Sequence, residues 1–298
     1  MAERSNEKVF ITGINGFTGK HLEGYLEKRG FQVYGTTLDE TSVNNHFKCD
    51  ILSEDSLFEI LNKVKPNYVI HLAAISYVAA KNQQNIYNVN VFGTLNLLNA
   101  IEKLNYNLNK ILIASSATVY GNIEGELNEE MCPKPVNHYG NSKLVMENMT
   151  KPYFDKLNII IVRPFNYTGI GQESHFLIPK ILSHYKLGKE EIELGNIDVF
   201  REFNDVNFVV RSYTDLILSN ISSEIINVCT GKALSIQNIL DAMANIAGYK
   251  IKVNINPMFV RSNEIRTLKG ATKKMNHIIG DFTEEFEIEN TLREMYHN

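Results

Sequence analysis

Lys8-Val9-Phe10-Ile11-Thr12-Gly13-Ile14-Asn15-Gly16-Phe17-Thr18-Gly19 decides the fold. It is a short, β-prone apolar run closed by three glycines. Residues 18–29 follow with helical spacing, Leu22 and Leu26 lying one turn apart, and Gly30 marks the stop. A strand over 8–12 that turns directly into a helix makes a first βα turn, the place where doubly wound sheets bind dinucleotides. Glycine there permits a tight turn and lets backbone approach a pyrophosphate, and the helix N-terminus supplies amides and a positive dipole end. The spacing is G-x-x-G-x-x-G rather than G-x-G-x-x-G. Three glycines at such a turn also satisfy turn chemistry alone, so the loop gains meaning only from its surroundings.

Those surroundings alternate. Residues 31–35, 47–50, 68–73, 110–114 and 159–162 read as strands, and 53–64, 85–104 and 137–157 as helices. Ser53 serves as N-cap of the first of these helices, with Leu57, Ile60, Leu61 and Val64 on one face. The strands are nearly continuous apolar runs, which suits burial on both faces and a parallel sheet covered by helices. The fold class expected is therefore α/β, a Rossmann-type doubly wound parallel sheet. Pro152 lies inside the helix predicted for 137–157 and clashes with the carbonyl four residues back, so a kink or break is expected there. Past Pro164 the alternation loosens. We divide the chain into a dinucleotide-binding domain, 1–165, and a smaller mixed α/β lobe, 166–298, whose segments interleave with the first. A terminal helix is expected over 282–296.

Composition narrows the function. The 298 residues carry 30 basic and 34 acidic side chains, a formal net charge of -4, which gives no basic surface for nucleic acid. Cys49, Cys132 and Cys229 are widely spaced and odd in number, with no zinc or redox spacing, so no metal is expected. Residues 1–8 are polar and charged, unlike a secretory signal, and no apolar run reaches membrane-span length. The expected compartment is the cytoplasm.

Further motifs follow the glycine loop. Tyr139-Gly140-Asn141-Ser142-Lys143 places a phenol and an ammonium at i and i+4, one turn apart on one helix face. A cation beside a phenol favours the phenolate and makes tyrosine a usable proton donor and acceptor. Upstream, Ala114-Ser115-Ser116-Ala117-Thr118 offers hydroxyls at a strand end, with Ser115 and Thr118 as neighbours of Ser116. In this order the motifs resemble the extended short-chain dehydrogenase/reductase family, the nucleotide-sugar epimerases, dehydratases and reductases, and they cover nearly the whole chain. The resemblance implies a Ser116–Tyr139–Lys143 triad, with Lys143 also holding the nicotinamide ribose. It implies cofactor contacts from Gly13, Asn15, Gly16, Phe17, Thr18 and Gly19 of the loop, from Thr36, and from Asp50 and Ile51 beside the adenine. It adds Leu72, Ala73 and Ala74 of the turn after the fourth strand, and Asn90. The cofactor implied is NAD(P)H. Choice between NADH and NADPH stays open, because neither an acidic residue nor an arginine sits at the tip of the second strand; Asp39 lies slightly beyond.

The 4,6-dehydratases of the family carry an Asp-Glu pair where this chain has Ala117 and Thr118, and the 3,5-epimerase/reductases carry a cysteine at the place of Thr118. Neither chemistry is expected. On the substrate side the resemblance implies Ser76, Asn166 of Arg163-Pro164-Phe165-Asn166, and Arg201 of Arg201-Glu202-Phe203-Asn204-Asp205-Val206, where Glu202 replaces the usual Asp. Arg261 and Glu264 of Arg261-Ser262-Asn263-Glu264-Ile265 resemble the diphosphate- and ribose-binding element of GDP-mannose dehydratases and GDP-4-keto-6-deoxymannose reductases. The preferred expectation is a reductase of the C4 keto group of a GDP-6-deoxy-4-ketohexose. A nucleotide-sugar 4-epimerase with tightly bound NAD is the alternative, and a non-catalytic dinucleotide-binding protein a lower one. The base could also be thymidine or uridine. The helices 85–104 and 137–157 resemble the family's dimer-forming pair, so a homodimer is expected.

Overall fold

The structure, a computed structural model, describes residues 6–76, 82–260 and 265–298. The chain begins β1 (Lys8–Thr12), α1 (Phe17–Lys28), β2 (Gln32–Thr37), β3 (His46–Lys48), α2 (Glu54–Val64) and β4 (Tyr68–His71). It continues through α3 (Gln83–Tyr87), α4 (Gly93–Glu102), β5 (Lys110–Ala114), β6 (Gly125–Leu127), α5 (His138–Thr150) and β7 (Ile159–Pro164). Next come β8 (Tyr167–Thr168), α6 (Leu177–Lys186), β9 (Glu191–Leu194), β10 (Phe200–Glu202), β11 (Asn204–Asp205), α7 (Val206–Leu218) and β12 (Glu224–Val228). The chain closes with β13 (Ala233–Ser235), α8 (Ile236–Ala247), β14 (Lys252–Ile255), β15 (Thr267–Gly270), α9 (Lys273–Ile279) and α10 (Ile288–His297).

Two compact units result. One comprises the residues up to Gly121 with Cys132–Pro164 and Val210–Ile226; the other comprises Asn122–Met131, Phe165–Val209 and Asn227–Asn298. In the first, a seven-stranded sheet runs β12-β7-β5-β4-β1-β2-β3. The six strands from β7 to β3 pair in parallel. From β1 the chain winds outward through β2 and β3, then returns to the other side of β1 as β4. That reversal is the switch point at which doubly wound sheets bind ligands. The inner strands are buried on both faces. Ile159, Ile160, Ile161 and Val162 of β7 are all fully buried, each contributing roughly 1.5–3 kcal/mol relative to an exposed side chain. Phe10, Val69, Ile111 and Ile161 pack with Leu57, Leu61, Leu97 and Leu98 of the covering helices. The second unit holds a mixed sheet, β13-β10-β15-β6, antiparallel between β10 and β13 and parallel elsewhere.

Three predicted helices differ. The helix expected over 85–104 starts at Gln83, and residues Asn88–Phe92 form a π turn between α3 and α4. The helix expected over 137–157 ends at Thr150, and Pro152 sits in a 3₁₀ turn, Lys151–Tyr153; the missing proline N–H stops the α ladder, as its position requires. The terminal helix begins at Ile288 rather than 282, because Thr283–Glu285 forms a separate 3₁₀ turn.

Candidate active site

The glycine loop is tied to β2 and β4. The amides of Gly13 and Ile14 both donate to the Thr36 carbonyl, at 3.0 and 3.1 Å. Asn15 Nδ2 donates to Thr37 Oγ1 at 3.1 Å. Gly13 has φ +74°, and a Cβ there would lie 3.0 Å from the Ala73 backbone. A Cβ on Gly19 would lie 2.4 Å from the carbonyl oxygens of Gly13 and Ile14. The N-cap of α1 is Gly16, which has no side chain to cap the helix, and no acid stands in the first turn. By contrast, α2 is capped by Ser53 and carries Glu54 and Asp55 in its first turn. The packing of the turn itself requires glycine at 13 and 19, and the N-terminus of α1, with no acid in its first turn, is suited to an anion; the loop fits a dinucleotide cofactor.

The turn after β4 is held by a buried hydrogen-bond chain whose direction can be worked out. Thr94 Oγ1 donates to the Asn90 carbonyl at 2.8 Å, so it accepts from His71 Nε2 at 2.9 Å. His71 Nδ1 then accepts from Thr12 Oγ1 at 2.6 Å, and Thr12 Oγ1 accepts from the Ala73 amide at 3.2 Å. Burial, helped by the charge of Lys143, lowers the His71 pKa to about 3, so the ring stays neutral. Leu72 and Ala74 flank Ala73 in this turn and are half-buried, and Ser76 beyond them is exposed. Asn90, inside the π turn, accepts from the Ile75 amide at 2.8 Å and donates to Ser142 Oγ at 3.0 Å. It thereby links the turn after β4 to α5, and the π turn re-aims this one side chain. Asp50 is exposed and accepts from the Leu52 amide. Ile51 packs against Gly93, where a Cβ would come within 2.4 Å of it.

Ser116, Tyr139 and Lys143 belong to the same unit. Ser116 N-caps the 3₁₀ turn Ala117–Tyr120, accepting from the Thr118 amide at 3.1 Å, and shares a hydrogen bond with the Thr118 hydroxyl at 2.8 Å. Tyr139 and Lys143 lie one turn apart on α5, whose N-cap Asn137 accepts from the Gly140 amide. Gly140 lets the helix approach the 3₁₀ turn, since a Cβ there would lie 2.8 Å from the Thr118 carbonyl oxygen. Lys143 Nζ donates to the Ala114 carbonyl at 2.7 Å. Burial lowers its pKa to about 8, against an opposing pull from Glu147. No acid occupies the positions after Ser116: Ala117 is buried and Thr118 is a hydroxyl partner of Ser116.

Of the substrate-side residues, Ser76 falls in the first unit and Asn166 and Arg201 in the second. Asn166 is exposed, and its carbonyl accepts from the Asn204 amide. Arg201 NH1 donates to the carbonyls of Phe200 and Arg266, and NH2 to that of Ile265 at 3.0 Å. It therefore fixes the backbone just after Arg261–Glu264. Arg261 and Glu264 themselves lie outside the described residues. Sequence reading missed a buried cluster beside the triad, Ser115–Glu147–Arg163–Tyr120; Glu147 at eight residues past Tyr139 was the available signal.

Comparison with known proteins finds relatives that span nearly the whole chain. GDP-6-deoxy-D-talose 4-dehydrogenase of Aggregatibacter actinomycetemcomitans is 38% identical over 293 residues, covering 98% of this chain and 97% of that protein. GDP-6-deoxy-D-mannose reductase of Pseudomonas aeruginosa is 31% identical, covering 96% and 95%. Among solved structures, a putative epimerase from Burkholderia cenocepacia superposes with a TM-score of 0.92 at 37% identity, covering 99% and 98%. RMD from P. aeruginosa, solved with NADPH, gives 0.84 at 29%, covering 98% and 96%. Residues 10–295 match the GDP-mannose 4,6-dehydratase family, and the chain belongs to that family of extended short-chain dehydrogenases.

Proposed function

We propose that this protein reduces the C4 keto group of a GDP-6-deoxy-4-ketohexose with NAD(P)H. The observation that carries the reading is a Ser116–Tyr139–Lys143 set without acids at Ala117 and Thr118. Its two relatives named for GDP-6-deoxyhexose oxidoreduction support it.

The nicotinamide, when bound, supplies hydride to the sugar carbonyl carbon. The residues of this chain do the rest. Tyr139 delivers the proton to the developing C4 alkoxide. Lys143, charged below its lowered pKa, stabilises the phenolate left behind and holds the nicotinamide ribose. Ser116 donates to the reacting oxygen, its hydroxyl oriented by Thr118. Removing water from the sugar needs a proton donor for the leaving group and a base at the neighbouring carbon; Ala117 and Thr118 supply neither. Gly13, Asn15, Gly16, Phe17, Thr18, Gly19, Thr36, Asp50, Ile51, Leu72, Ala73, Ala74 and Asn90 form the cofactor side in this reading. Ser76, Asn166, Arg201, Arg261 and Glu264 form the nucleotide-sugar side. The domain carrying the triad binds the cofactor, and residues 166–298 are mainly the substrate lobe. We place the enzyme in the cytoplasm; among the described residues no helix is long and apolar enough to cross a membrane. Exposed Phe92 of the π turn and Val145 and Met149 of α5 support a homodimer through these helices, which light scattering at micromolar concentration tests.

The function is tested by mixing enzyme, reduced nicotinamide and GDP-4-keto-6-deoxymannose. One cofactor oxidised per sugar is expected. Interconversion of two 4-hydroxy sugars without net cofactor use would make the protein a 4-epimerase.

A further inference from the structure

Three consecutive residues at the end of β5 are held by three different partners. The Ala114 carbonyl takes Lys143 Nζ, the Ser115 hydroxyl donates to Glu147 Oε1 at 2.5 Å, and Ser116 turns onto Thr118. Glu147 lies one turn beyond Lys143 and two beyond Tyr139, on the same side of α5. Arg163 of β7 grips it with two bonds, Nε to Oε1 at 2.9 Å and NH2 to Oε2 at 2.6 Å. Arg163 NH1 donates to the Tyr120 hydroxyl at 3.0 Å, and the guanidinium carbon sits 4.9 Å from the Tyr120 ring centroid. Ser115, Glu147, Arg163 and Tyr120 are all buried.

We propose that the buried Glu147–Arg163 pair is a positioning device that sets Ser116 against Tyr139 and Lys143. The proposal rests on the triad assigned above. Ser116 is flanked by Ser115, held by the acid, and by the turn ending at Tyr120, held by the base. The same acid stands on the helix that carries Tyr139 and Lys143. One ion pair thus touches the strand end, the turn and the helix on which the reacting groups are mounted. A slide of α5 along its axis would change the Tyr139–Ser116 spacing and break the Ser115–Glu147 bond together.

Stability alone does not call for charge here. Apolar side chains of similar volume replace a buried ion pair at little or no cost. A bidentate carboxylate–guanidinium pair adds direction, because its two parallel bonds have one register, whereas leucine against methionine can slide. Gly140 completes the device by bringing α5 close to the Thr118 carbonyl, so that the register is read at short range.

The test uses two variants of the full chain. Ser115→Ala removes one link and leaves Glu147 paired with Arg163. Glu147→Leu combined with Arg163→Met removes both charges together, so that no unpaired charge is left buried. Both are expected to remain folded at the assay temperature, checked by circular dichroism, and to keep the parent's cofactor KM while kcat falls, by about 100-fold in the double variant, the scale of a misplacement near 1 Å. Ser115→Ala is expected to lose about tenfold, the scale of one hydrogen bond to a charged group. A double variant that is folded at the assay temperature and has parental kcat would overturn the proposal. If the double variant does not fold, parental kcat in Ser115→Ala overturns it. Tyr139→Phe run in parallel separates the two claims. Full turnover in Tyr139→Phe defeats the triad itself, whereas a dead Tyr139→Phe beside a fully active double variant defeats only the positioning role.

Discussion

Glu147 and Glu202 are both completely buried, one in each compact unit, and they are neutralised in different ways. Glu147 faces a full cation, Arg163, whose own charge is held more firmly than usual by that partner despite burial. Glu202 makes no ion pair among the described residues. It accepts from the Gly270 amide at 2.6 Å, the Thr230 amide at 2.8 Å and Asn204 Nδ2 at 3.1 Å. Burial pushes its carboxyl above the ordinary range, and these donors pull the other way. These bonds tie β10 to β15 and to the Thr230 turn. On the proposed reading, a buried acid serves a reacting centre in one unit and the frame of a sheet in the other. Changes around the first should cost turnover; changes around the second should cost stability.

Tyr139→Phe gives the largest effect expected on the first side. The ring still packs, so cofactor binding by calorimetry should match the parent, while kcat should fall roughly 100- to 10,000-fold with the loss of general acid catalysis. Next is the pH profile. Lys143 is charged below its pKa of about 8 and neutral above it. The initial rate should therefore fall through that pH, by about tenfold per unit on the alkaline side. A rate flat to pH 10 would remove Lys143 from the account.

On the second side, Glu202→Gln should leave kcat unchanged and lower stability. Both oxygens accept from N–H groups, so an amide must set a donor against a donor, at about 1–3 kcal/mol by chemical denaturation. Lost turnover in this variant, with folding intact, would erase the contrast between the two acids. The smallest effect belongs to Ser235→Ala. It breaks the capping box that Ser235 forms with Asn238 at the start of α8, costs about 1 kcal/mol, and should leave both substrates bound as before.

The sheet was legible because its inner strands are unbroken apolar runs, and the glycine loop because its turn needs Gly13 at positive φ and Gly19 without a Cβ. Tyr139 and Lys143 stand out by their i, i+4 spacing, whereas Ser116 is singled out from Ser115 and Thr118 only by the family resemblance. The π turn was not: Asn88–Phe92 has ordinary helical composition, and its widening is visible only in where Asn90 reaches, toward Ile75 and Ser142. The terminal helix was placed six residues early because Phe282 extends the apolar pattern, although that side chain packs on Phe208 from outside any helix. The Ser115–Glu147–Arg163 cluster joins residues 16 and 32 positions apart, and its only local trace is Glu147, two turns past Tyr139 on α5.

Hydride delivery to C4 is the centre of the account, and isotope transfer tests it directly. GDP-4-keto-6-deoxymannose is incubated with enzyme and reduced nicotinamide deuterated at the transferring position, and the sugar product is examined by proton NMR. The account predicts loss of the H4 resonance, with one deuterium per product molecule at C4 and an equal amount of oxidised cofactor released. Product carrying hydrogen at C4, or sugar conversion with the deuterated cofactor unconsumed, would contradict it.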